Sequence, residues 1–173
     1  MQNKRGQFYL IATIIITAII VGFAAVVNYS EEESSVKIYE LGEELKIESG
    51  NILDYGVYNK LNENEMNTLL TNFIGNYSGY SKEKDLYFIF GNRDKITVIA
   101  YQESGEEIYV NVGDGNESLT MSEGTGTQDF TPTLNEVTIT VKGIEYNFEI
   151  KNGENFYFVI SQEIEGEQYV VTN

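Results

Sequence analysis

From Phe8 to Val27 the chain reads FYLIATIIITAIIVGFAAVV, a run with no charge and with Thr13 and Thr17 as its polar side chains among aliphatics. As a helix these twenty residues would span about 30 Å, the apolar thickness of a bilayer. A helix apolar on every face needs lipid or a large core around it, and the remaining chain is too small to supply that core. The run therefore predicts a transmembrane helix over residues 7–27, with lipid as the partner of residues 8–27. Lys4 and Arg5 precede the run while Glu31, Glu32 and Glu33 follow it. The positive-inside rule then puts a basic leader, residues 1–6, in the cytoplasm and everything beyond Ser30 outside. A cleavable secretory signal is the rival reading, and the apolar run is longer than the usual core of one. Thr13, Thr17, Ala18 and Gly22 are the small residues through which such a helix would pack on another.

What lies beyond the run is acidic. All 27 acidic residues follow Ser30, and of the 11 basic residues Lys4 and Arg5 precede it, so the chain from Asn28 onward carries 9 basic side chains and a formal charge of −18. Such a surface repels phosphate backbones, which excludes nucleic acid as an expected partner. The chain has no cysteine and no histidine. That removes thiol catalysis, disulfides, histidine general bases and the common zinc sites.

Periodicity divides the exterior chain into helix first and sheet second. Ile38, Leu41, Leu45, Ile52 and Tyr55 recur at steps of three and four, with Glu48 in the one seam position that is not apolar. These residues predict a helical stalk that continues from the membrane. Gly42, Gly50 and Gly56 weaken it, and a break near Gly50 is expected. Asn62 to Glu65 carry cap chemistry, and Met66, Leu69, Leu70, Phe73 and Tyr77 lay apolar groups on one face of a second helix that Gly75, Asn76 and Gly79 end. The helical region thus covers residues 28–83.

From Asp85 the period becomes two. Leu86–Phe90, Ile96–Tyr101, Ile108–Val112, Val137–Val141, Ile144–Ile150, Phe156–Ile164 and Tyr169–Val171 read as strands joined by Gly- and Asn-rich turns. Ser122 to Thr133 holds the only proline and many small polar residues, and is expected to be an exposed loop. The fold class expected is α+β: a transmembrane helix extended into a stalk, a second helix, and one antiparallel sheet of six or seven strands over residues 84–173.

No motif names a reaction. No P-loop, GxGxxG after a strand, or GxSxG occurs, and paired carboxylates such as Glu43-Glu44 and Glu106-Glu107 are patterned as surface. Asp114-Gly115-Asn116-Glu117-Ser118 opens like a calcium loop. It then places Leu119 where that loop needs glycine and Thr125 where it needs a bidentate glutamate, so a hairpin turn is the better reading. No catalytic residue, metal or cofactor is expected. Asn28, Asn76 and Asn116 open N-glycosylation sequons, with Asn76 and Asn116 the candidate acceptors.

Lys4-Arg5-Gly6-Gln7, set directly against the apolar run, resembles the short leader of archaeal type IV pilin-like proteins with a class III signal peptide. The resemblance covers roughly the first 27 residues. It implies cleavage by a prepilin-type peptidase between Gly6 and Gln7, retention of the helix as the assembly element, and an archaeal source. Ile11 stands where bacterial pilins carry a glutamate. The function expected is a non-enzymatic, membrane-anchored surface protein, a pilin-like filament or surface-assembly subunit. The alternative is an anchored binding or adhesion module that does not polymerise. A third reading makes it an accessory subunit of a membrane complex.

Overall fold

The computed structural model describes the backbone of residues 4–173 apart from 83, 103–107, 114–115, 120–123 and 165, and the side chains of that set apart from 4–12, 24–36, 81–82 and 116–119. The chain forms two compact units, Met1–Lys37 and Ile38–Asn173.

Helix α1 runs Lys4–Tyr58 and α2 runs Glu63–Tyr77, followed by a 3-10 turn at Ser78–Lys82. The break expected near Gly50 does not occur. Gly50 faces open space, and packing by Leu45, Ser49 and Leu53 beside it outweighs the roughly 1 kcal/mol that glycine costs a helix. The buried seam of this part of α1 is Ile38, Leu41, Gly42, Leu45, Ser49 and Gly56, so Ser49 rather than Glu48 occupies the inward position and Tyr55 is exposed. At α2 the cap chemistry is as read. The Asn62 side chain accepts from the Glu65 amide at 3.1 Å while the Glu65 carboxylate accepts from the Asn62 amide at 2.9 Å.

Among the described residues nine strands form two sheets, where the sequence suggested one sheet of six or seven. The strands are β1 Asp85–Gly91, β2 Ile96–Gln102, β3 Ile108–Asn111, β4 Asn116–Leu119, β5 Gly124–Phe130, β6 Glu136–Val141, β7 Ile144–Glu149, β8 Asn155–Ile164 and β9 Glu167–Thr172. One sheet has the order β5-β2-β1-β8-β9 and the other β4-β3-β6-β7. All pairings are antiparallel. The exposed loop expected over Ser122 to Thr133 is corrected at its centre, since Gly124–Phe130 is an edge strand of the larger sheet.

The division into two sheets follows from which faces are apolar. β1 is buried at every position, which an antiparallel strand requires only when both faces of its sheet are covered. Tyr87, Ile89, Val98, Ala100 and Val159 face the smaller sheet and pack with Ile108, Val110, Ile139, Val141 and Phe148. Leu86, Phe88, Phe90, Phe156, Phe158 and Ile160 face the opposite way and pack with Ile38, Leu41, Leu45, Met66, Leu70, Phe73 and Ile74. The unit from Ile38 onward is thus three layers: helices, a five-stranded sheet, a four-stranded sheet. The Lys142 ammonium, in the β6–β7 turn of one sheet, meets the Asp85 carboxylate at the start of β1 in the other at 3.0 Å.

The transmembrane helix is a further correction to the expected fold. Among the described residues no helix is long and apolar enough to cross a membrane. The apolar stretch whose side chains are described is residues 13–23 of α1, which at about 1.5 Å per residue covers about 16 Å, roughly half a bilayer's apolar thickness.

Candidate functional site

The feature of this chain that its own fold leaves uncovered is the apolar segment of α1. Every residue from 13 to 23 is exposed. Ile14, Ile15, Ile16, Ile19, Ile20, Val21 and Phe23 each leave between 52 and 69 % of their surface open. They point in all directions around the helix, because β-branched and small residues follow one another without the polar side that an amphipathic surface helix carries.

Helical geometry divides the four small residues expected to pack together. Thr13 and Thr17 are four apart and share a face. Ala18 and Gly22 are also four apart and share another. From Thr13 to Gly22 is about two and a half turns, which sets the two pairs on opposite sides of the helix. The single seam expected from Thr13 through Gly22 is therefore two. The Ala18 and Gly22 side is the flatter, since Ala18 carries only a methyl group and Gly22 no side chain, and it is where another backbone can approach closest. Gly6 and Gln7 fall inside the bounds of α1 but outside the described side chains.

Elsewhere the polar chemistry serves the fold. Tyr77 on α2 is 4 % exposed and its phenol donates to the Glu48 carboxylate of α1 at 2.8 Å, with Glu44 at 3.3 Å. Burial pushes this phenol far above its ordinary range, and the Glu48 hydrogen bond and the charge of Glu44 push the same way. In the core between the sheets the Gln102 amide donates to the Tyr87 phenol at 2.9 Å. Burial raises Tyr101, Tyr146 and Tyr157 as well. Asp129 on β5 is drawn up by partial burial, but hydrogen bonds from Lys95 and Thr97 outweigh that and hold its carboxyl below the usual value. The Lys95 contact is 2.8 Å and that from Thr97 is 2.7 Å.

A solvent-open hollow of about 590 Å³ lies at the base of β6 and β7, lined by Leu134, Asn135, Glu136, Asn147 and Glu149. Glu136 and Glu149 sit directly opposite each other in the ladder. Like charges so placed repel, and the hollow around them is open to solvent. Among the described residues no group of three or more Asp or Glu side chains is arranged to hold a metal ion. The calcium-like stretch falls partly outside the described residues, and Glu106-Glu107 wholly outside them.

The two candidate glycosylation sites fall in regular structure. Asn76 is exposed near the end of α2, with Tyr77 buried immediately after it and the Ser78 hydroxyl donating to the Gly75 carbonyl at 2.8 Å. Asn116 opens β4 opposite Asn111 of β3, with its side chain outside the described set. The hydrophobic periodicity of α1 missed the pairing of Tyr77 with Glu48. The signal was there: Glu44 and Glu48, four apart, form an acidic rung beside the seam. No protein-family model, curated protein or solved structure matches the chain.

Proposed function

We propose that this chain is a non-enzymatic structural subunit of the pilin-like class, acting by assembly with copies of itself through the apolar segment of α1. The observation that supports this reading is the exposure of every described residue from 13 to 23, none of them ionisable. Apolar surface of that extent and all-round distribution is stable only under cover, and copies of the same helix supply cover of matching length and character. With no charge available, registration comes from shape: the Ala18 and Gly22 side admits the close backbone approach on which small-residue helix contacts depend.

In this reading a prepilin-type peptidase cuts between Gly6 and Gln7 on the cytoplasmic side, and the unit from Ile38 onward is displayed at the cell surface. Its charge keeps it soluble at the high local density of an assembly. Single-cysteine variants of the full chain test the reading, since the chain has no cysteine of its own. Ala18→Cys is expected to crosslink to itself in intact cells and to stop doing so when Gly22→Ile is added. Crosslinking that ignores Gly22→Ile, or that never occurs, would contradict this reading and favour a displayed binding module.

A further inference from the structure

β5 is a seven-residue edge strand. Among the described residues it pairs with β2 alone; β4 comes near it without forming a ladder. An open edge offers a row of backbone donors and acceptors to any extended chain, and proteins ordinarily guard such edges with lysine, proline, bulges or covering elements. β5 has none of these within its span. Its residues are Gly-Thr-Gly-Thr-Gln-Asp-Phe, so the side chains along most of the edge are small. Its one charge, Asp129, is already engaged by Lys95 and Thr97. In a chain of net charge −16 this edge is locally neutral.

The other edges differ. β7 carries Glu145 and Glu149, and β4 is four residues long and carries Glu117. β9 carries Glu167, and α1 closes on it so tightly that a Cβ on Gly42 would meet Val171 Cγ1 at 2.4 Å. We infer that β5 is a strand-addition site whose occupant is β5 of a second copy, joined antiparallel about Thr127 into one continuous sheet. Local neutrality selects the occupant, because two copies repel over the rest of their acidic surface and meet here without like-charge contact. The pairing centred on Thr127 keeps every β5 residue in the ladder, and it sets Asp129 of one copy opposite Thr125 of the other. A register one residue away would oppose outward-facing to inward-facing backbone groups and cannot bond. This contact does not involve the apolar segment of α1 and stands or falls separately from it.

The experiment uses the full chain in mild detergent with one introduced thiol. Antiparallel partners lie about 4.5–5.5 Å apart at Cα, inside the range a disulfide spans. Thr127→Cys is therefore expected to form a self-disulfide under mild oxidation at least tenfold faster than Thr71→Cys, which is exposed on α2. The same rate is expected when Gly22→Ile is added, which separates this contact from helix assembly. Thr127→Lys, checked for native circular dichroism, is expected to lose the β5-linked dimer in sedimentation, because two lysines meet at the two-fold. Equal rates at the two positions, capture of a different protein by Thr127→Cys, or a dimer unchanged by Thr127→Lys would each overturn the inference.

Discussion

The Tyr77 phenol donates to the Glu48 carboxylate at 2.8 Å and so ties α2 to α1 across a helix pair otherwise held by apolar packing. Tyr77→Phe keeps the ring against Phe73, 5.2 Å away centroid to centroid, and removes only the hydroxyl. A hydrogen bond to a charged group contributes about 1.5–3 kcal/mol when well sheltered, and Glu48 is on the exposed side of α1. Tyr77→Phe should therefore lower stability by about 1 kcal/mol in urea titration with an unchanged slope, and Glu48→Gln, which retains an acceptor, by less.

Among the described residues four tyrosines have phenols raised by burial: Tyr77, Tyr101, Tyr146 and Tyr157. A raised folded value means the folded chain keeps a proton that the unfolded chain gives up above about pH 10. Their stabilising contribution is whole below that pH and is lost as pH climbs toward the folded values. Stability should fall steeply above pH 10, with tyrosinate absorbance and loss of circular dichroism rising together for these residues. Tyr77→Phe should flatten the alkaline fall, and early ionisation of all the tyrosines with the fold intact would contradict the burial described.

Three glycines of α1 should respond differently to alanine. Gly50 faces open space, so Gly50→Ala should stabilise by about 1 kcal/mol through helix propensity alone. At Gly56 the new Cβ meets the flexible end of Met66, with Cε at 2.2 Å, which can swing aside, and the net change should be small. At Gly42 it meets the stiff, branched Val171, and Gly42→Ala should destabilise by about 1–3 kcal/mol. Adding Val171→Ala should recover part of that loss, which thermal melts of the single and double variants will show.

Much of the helical region and most strands were legible because their signals are local. Asn62 and Glu65 announce a capping box three residues apart, and the apolar run from Leu86 to Phe90 or the alternation from Val137 to Val141 needs no partner to be read. What failed was non-local. β1 pairs with β8, as in Phe88 opposite Phe158, a contact no window of sequence contains, and with it β8 and β9 join the sheet of β1 and β2 while β6 and β7 join the other. β5 was taken for a loop because Gly-Thr-Gly-Thr-Gln-Asp-Phe carries almost no apolar alternation. An edge strand whose residues 124–129 are exposed or half-buried needs none, and β2 supplies its register through Ile99 opposite Thr127. Along α1, Ser49 displaced Glu48 from the seam because the seam steps by four from Leu45. At the candidate site the small residues were visible, but their division into the Thr13 and Ala18 faces emerges only when the helix is turned residue by residue.

The leader resemblance carries its own test. Purified from the cells that produce it, the mature chain should begin at Gln7 by N-terminal sequencing. An intact Met1, or a start near Ala25, would remove the peptidase from the account.

The central claim, assembly through α1, is tested most directly by a cysteine scan of residues 13–23 in the full chain, crosslinked in intact cells. The account predicts self-crosslinking strongest at residues 18 and 22, weaker at 13 and 17 on the opposite face, and loss of the Ala18→Cys product when Gly22→Ile is present but not when Thr17→Val is. Absence of self-crosslinking at every position from 13 to 23 would contradict it.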